Sequence, residues 1–168
     1  MTELEKCMAG EWYDCHDKVF LEFKNKTHRL LMKYNSLPYD HKEEKRQVLK
    51  EMLGSVGTKV SIGHSFICDY GRNIHIGNNV TVNTGCTFVD CNRITIGNNV
   101  LIGAGTKVLG PVYIGDNARI GAGSVVTRDI PSDSFAAGVP CRVIRKLGDA
   151  DSMRHKPEIL ADNTLIGK

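Results

Sequence analysis

No apolar run in this 168-residue chain approaches the ~20 residues that a membrane-crossing helix needs. The opening Met-Thr-Glu-Leu-Glu-Lys lacks the charged-then-apolar layout of a secretory signal. A cytoplasmic protein away from the membrane is therefore expected. Dense Lys/Arg stripes alternating with aromatics are missing too, and the net charge is only +3, so nucleic acid is not an expected partner. The six cysteines (Cys7, Cys15, Cys68, Cys86, Cys91 and Cys141) form no Cys-x-x-Cys pair, and no histidine cluster completes a zinc site. Free thiols and no metal are expected. Cys68 and Cys86 read as small core or subunit-contact residues, and Cys91 and Cys141 as candidates for exposure. Histidine itself is missing from the middle of the chain, with none between His75 and His155.

What is present is a repeat of six, from Val56 to about Pro131. Ile76-Gly77-Asn78-Asn79-Val80-Thr81, Ile96-Gly97-Asn98-Asn99-Val100-Leu101 and Ile102-Gly103-Ala104-Gly105-Thr106-Lys107 are three units. Ile114-Gly115-Asp116-Asn117-Ala118-Arg119 and Ile120-Gly121-Ala122-Gly123-Ser124-Val125 are two more. Internal repeats decide architecture before any local signal does. Each unit is a short strand of apolar and β-branched residues followed by a corner. Gly and Asn supply the corner because they enter left-handed backbone conformations cheaply. Three units make one triangular coil, as in the step from Ile96 to Ile114, and stacked coils bury a continuous aliphatic column. The expected class is mainly β, a parallel β-helix with an N-terminal α-helical cap.

The register slips twice. The intervals Ile62 to Ile76 and Ile76 to Ile96 each exceed a multiple of six by two. Corners near Arg72-Asn73 and Asn92-Arg93 absorb the extra residues most simply. Such extrusions re-aim side chains and are places to seek a binding surface.

Residues 1–54 read as the cap. Thr2 with Glu5 forms a capping box for a helix ended near Gly10. A second helix is predicted from Asp17 to Tyr34, burying Phe20, Phe23, Leu30, Leu31 and Tyr34. Asp40 and Glu43 open a third, with Val48, Leu49, Met52 and Leu53 inward and Gly54 just past its end. Residues 55–147 are the β-helix. Phe135–Arg145 reads as a loop followed by a short strand or helical turn, and 148–168 as a loosely held tail.

Four segments together closely resemble one family: Met8-Ala9-Gly10-Glu11-Trp12-Tyr13-Asp14; Cys68-Asp69-Tyr70-Gly71-Arg72-Asn73-Ile74-His75-Ile76-Gly77; Gly121–Pro131; and Ala137–Arg145. They resemble the maltose/galactoside O-acetyltransferases of the hexapeptide-repeat acyltransferase superfamily. The resemblance covers roughly residues 1–147. It implies a left-handed β-helix, an exception to the usual right-handed crossover, and a homotrimer with active sites between neighbouring coils. It also implies direct transfer of acetyl from acetyl-CoA to a sugar hydroxyl, without metal, a histidine acting as base. On the acceptor side it implies Asp14, Asp69, Asn83 and Asp90. On the CoA side it implies Ala104, Ala122, Thr127, Arg128, Arg142 and Arg145, the arginines suiting phosphate.

The chain departs from that family at one point. The Gly-His-Pro type segment that carries the catalytic histidine, in a long loop between the middle coils, has no counterpart, and the rungs after Asp90 already match the family's later coils. His64, His75 and His155 are the remaining candidates for a base. Three readings stay open: a sugar O-acetyltransferase, with a relocated base; a catalytically impaired trimeric CoA- or sugar-binding scaffold; and a shortened form of a longer enzyme, unstable or inactive by itself. The acceptor and the role of the tail are not legible in the sequence.

Overall fold

The computed structural model describes residues 1–151. Its first helix, α1 (Glu3–Ala9), carries the capping box in full: the Glu5 amide donates to Thr2 Oγ1, and the Thr2 amide donates to the Glu5 carboxylate at 2.6 Å. Gly10 stops it with a left-handed φ of 76°, a conformation that Gly adopts without a Cβ clash. Helix α2 (Lys18–Ser36) is capped by the Asp17 side chain and buries Phe20, Leu30, Leu31 and Tyr34, with Phe23 half-buried beside them. It also buries Thr27, whose hydroxyl donates to the Tyr70 carbonyl at 2.7 Å.

Helix α3 (Lys42–Met52) starts two residues after Asp40, its expected opening. His41 is the N-cap and makes no side-chain bond there. Gly54 does stand just past the helix end, but for a different reason from a left-handed cap. A Cβ there would clash with the Arg72 carbonyl oxygen, so Gly54 is a close-approach glycine where the cap meets the first coil.

Four coils follow. The first is β1 (Ser55–Val56), β2 (Ser61–Ile62) and β3 (Ile67–Cys68); the second is β4 (Ile74–Ile76), β5 (Thr81–Val82) and β6 (Thr87–Val89). The third is β7 (Ile94–Ile96), β8 (Leu101–Ile102) and β9 (Lys107–Leu109); the fourth is β10 (Val112–Ile114), β11 (Arg119–Ile120) and β12 (Val125–Val126). Corresponding strands stack in parallel into three sheets. Sheet A is β1-β4-β7-β10, and sheet C is β12-β9-β6-β3. Sheet B is β11-β8-β5-β2, extended by β13 (Ser134–Ala137) and then the antiparallel β14 (Arg142–Lys146). Phe135–Ala137 is therefore strand rather than loop, because it adds a rung to sheet B alongside Arg119 and Ile120.

The register follows the hexads. Ile76, Ile96 and Ile114 are direct neighbours in sheet A, and Ile62, Val82, Ile102 and Ile120 in sheet B. All are buried at 4% exposure or less. Burying such a column is worth roughly 1.5–3 kcal/mol per Ile or Leu side chain. Both two-residue slips fall between sheets C and A, at 69–73 and 90–93.

The A–B corner is held by side chains as well as backbone. Asn79, Asn99, Asn117 and Asp133 all have positive φ. Their side chains form a ladder up the edge: Asn79 Nδ2 donates to Asn99 Oδ1 at 2.9 Å, Asn99 to Asn117 at 3.1 Å and Asn117 to Asp133 at 2.7 Å. No helix among the described residues is long and apolar enough to cross a membrane.

Candidate functional site

The residues singled out from the sequence separate onto two corners of the prism. Asp14, Asp69 and Asp90 gather where sheet C turns into sheet A. Helix α1 seats on that corner: Cys7 Sγ donates to the Cys91 carbonyl at 3.2 Å, and Asn92 Nδ2 donates to the carbonyls of Cys7 and Met8 at 3.3 and 3.1 Å. Tyr13, Phe20 and Tyr70 stack in series, with centroids 5.1 and 5.6 Å apart, and tie the Trp12–Asp14 loop to the Cys-Asp-Tyr-Gly segment. Asp14 is exposed and accepts from the His16 amide at 2.9 Å. Asp69 is half-buried and accepts from Cys91 Sγ at 3.6 Å.

Asp90 is turned inward and fully buried. One carboxylate oxygen accepts the amides of Asp69 and Tyr70 at 2.9 and 2.8 Å, and the other accepts that of Asn73 at 3.3 Å. Burial raises its pKa above the ordinary carboxylate value, and the backbone N–H groups pull it back down. Asp90 thus holds the extruded 69–73 corner in shape and presents Asp69 at its edge. Burial likewise raises the Cys91 thiol, which leaves it a poor nucleophile. Cys141 is buried rather than exposed, because the chain returns over the last coil and the Cys141 amide bonds to the Val125 carbonyl at 2.8 Å. All six cysteines are free.

The second group lies where sheet B turns into sheet C. Here His64, Thr84, Ala104 and Ala122 follow one another up the stack; Thr84 Oγ1 donates to the His64 carbonyl at 2.8 Å. The exposed Asn83 adjoins this strip, beside Thr84. Beside the strip run Gly85, Gly105 and Gly123, each at φ near +70°, and a Cβ on Gly105 or Gly123 would point into open space. On its two upper coils, at Ala104 and Ala122, the corner is thus bare backbone and methyl groups. A chain bearing amides can lie against it and exchange hydrogen bonds with the main chain. The sequence signal for this strip is the small residue recurring after Gly in successive hexads; Thr84 breaks that pattern and escaped notice.

Thr127 and Arg128 are exposed after β12, on the C–A side, and Arg142 and Arg145 are exposed on β14. Arg142 donates to its neighbour's carbonyl at 2.8 Å, and Arg145 pairs with Asp151 through both of its terminal nitrogens. Of the histidines proposed as a base, His75 stands on the outer face of sheet A, 3.0 Å from Ser55 Oγ, its pKa lowered by burial and by Arg93. His64 is on the strip itself. His155 lies outside the described residues. Among the described residues no group of three or more His, Cys, Asp or Glu could hold a metal ion.

Residues 6–57 match the maltose acetyltransferase hexapeptide capping motif, and residues 93–128 match the bacterial transferase hexapeptide, six repeats. A Saccharomyces cerevisiae relative described as a putative acetyltransferase is 35% identical over 189 aligned positions, covering 90% of this chain and 96% of the relative. The chain belongs to the hexapeptide-repeat acetyltransferase family. A solved maltose O-acetyltransferase from Clostridium difficile superposes with a TM-score of 0.74 at 32% identity, over 89% of this chain and 99% of that one. A galactoside acetyltransferase solved in complex with coenzyme A gives 0.76 at 32% identity, over 90% and 94%. The 189 aligned positions outnumber the 168 residues of this family member, so the yeast relative carries residues without a counterpart here.

Proposed function

We propose that this chain is an acetyl-CoA-dependent O-acetyltransferase of a sugar hydroxyl, working as a cytoplasmic homotrimer without a metal. The observation that carries the reading is the bare strip at the B–C corner, set against an acidic cluster at the C–A corner of the same chain. One protomer keeps these apart by a strand of sheet C. A neighbour's C–A corner laid against the strip completes a cleft, which supports the trimer. In that cleft the pantetheine lies along Ala122 and Ala104, with Thr127, Arg128, Arg142 and Arg145 toward the nucleotide. Asn83, Asp69 and Asp14 meet the hydroxyls of the acceptor, and Asp90 holds Asp69 in place. A solved relative that binds coenzyme A supports the cofactor assignment.

The reaction needs one proton moved. The acceptor oxygen attacks the thioester carbonyl, the C–O bond forms as the C–S bond breaks, and CoA leaves as the thiol after receiving the hydroxyl proton. His64 is the imidazole on the strip that accepts this proton. It sits two coils below Ala104, about 10 Å at one strand spacing of ~4.8 Å per coil. That offset favours a second reading, a trimer that binds CoA or sugar without turnover.

One experiment separates them. Acetyl-CoA is offered with maltose, glucose and galactosides, and the sugars are read by mass spectrometry. Acetylated sugar that falls ~10²–10⁴-fold in His64→Asn, and not in His75→Asn, is the expected result. CoA binding with no acetylated sugar establishes the second reading instead.

A further inference from the structure

A pocket of about 360 Å³ opens between α3 and the first coil. Its charged lining is of one sign: Lys42, Lys45 and Arg46 come from α3 and Lys59 from a corner of the first coil, with no Asp or Glu among the lining residues. The three α3 cations stand at i, i+3 and i+4, so they share a face and repel one another. The three acids of the same helix are turned elsewhere: Glu43 accepts from Gln47 at 3.3 Å, Glu44 pairs with His41 at 2.8 Å, and Glu51 lines a separate pocket against α2.

Lys45 is the decisive residue. It is only 8% exposed, and lysine is almost never buried to that degree without a partner. Among the described residues no carboxylate forms an ion pair with it. Its ammonium lies 4.9 Å from the centroid of the Tyr34 ring, and that ring is fixed because Tyr34 Oη donates to the Ile62 carbonyl at 2.6 Å. Tyr34 itself stays neutral, its pKa pushed up to about 12 by burial, so the pocket holds an aromatic face and a cluster of uncompensated cations.

We infer that this pocket binds the phosphate group of a small phosphorylated molecule, a sugar phosphate in size. Lys45 would contact the anion from below, with Lys42, Arg46 and Lys59 around the rim. The volume exceeds what bare phosphate fills, which leaves room for a sugar ring against the tyrosine. The inference does not require acetyl transfer, although His64 borders both the pocket and the strip.

Calorimetric titration of the full chain with glucose 6-phosphate, inorganic phosphate and glucose tests it. Saturable binding of glucose 6-phosphate is expected, weakened at least tenfold in Lys45→Met and in the double variant Lys42→Gln/Arg46→Gln, and unchanged in Lys24→Gln on the exposed face of α2. Tighter binding of glucose 6-phosphate than of inorganic phosphate marks a sugar phosphate as the ligand; equal binding marks free phosphate. Glucose binding as well as glucose 6-phosphate, no saturable heat with either phosphate, or folded variants of unchanged affinity would each overturn the inference. Should Lys45→Met fail to fold, the double variant, on partly exposed residues, still decides.

Discussion

Asp90 carries three main-chain amides on one carboxylate, and truncating it would leave all three buried donors without an acceptor. Each such loss costs ~1–3 kcal/mol. Asp90→Ala is therefore expected to lower stability by about 3 kcal/mol or more, measured by chemical denaturation, while Asp90→Asn, which keeps one acceptor, loses clearly less. Equal loss in the two would show that the cost is one of volume instead. The hexad pattern shows Asp90 at a corner and no more. Its inward turn depends on how residues 69–73 fold back over it, a non-local arrangement that no spacing encodes. The cations around Lys45 were hidden for a related reason: Lys42 and Lys59 are far apart in sequence, and only the docking of α3 on the first coil makes them neighbours.

Elements were far more legible than their junctions. The coils follow from the period of six because each Ile must stack on another Ile to leave water, and both slips fall where two extra residues had to go. The capping box of α1 and the span of α2 rest on local chemistry and read almost directly. The role of Gly54 depended on the contact with Arg72, and β13 depended on having β11 to pair with. The asparagine ladder is an element in its own right. Asn99→Ala removes two side-chain bonds and leaves at φ +56° a residue without the short polar side chain that lets Asn tolerate it, a conformation that costs an ordinary L residue ~1–2 kcal/mol. A loss of about 2 kcal/mol is expected in thermal melts. Asn99→Gly, free of the backbone strain, should recover part of it, and a glycine variant no better than alanine would put the whole cost on the ladder.

On the scale of the whole molecule, the proposed split of the site between two corners of neighbouring protomers makes a specific demand on assembly. Ala122→Trp blocks the strip at one corner, and Asp69→Asn weakens the other. Each variant should be inactive in acetyl transfer. Refolded together at equal amounts, random trimers should regain about a quarter of the sites, since each cleft draws one corner from each of two protomers. A mixture as inactive as its components would place the site within one chain. The two ends of the stack raise a different matter. A column of parallel strands offers its terminal rung to any other strand, and stacked copies of such a column would grow into fibres. Here the helical cap covers one end. At the other, β14 reverses direction as the terminal strand of sheet B, with Arg142, Arg145 and Lys146 exposed along it, and charged side chains on an edge strand discourage its pairing with a second copy.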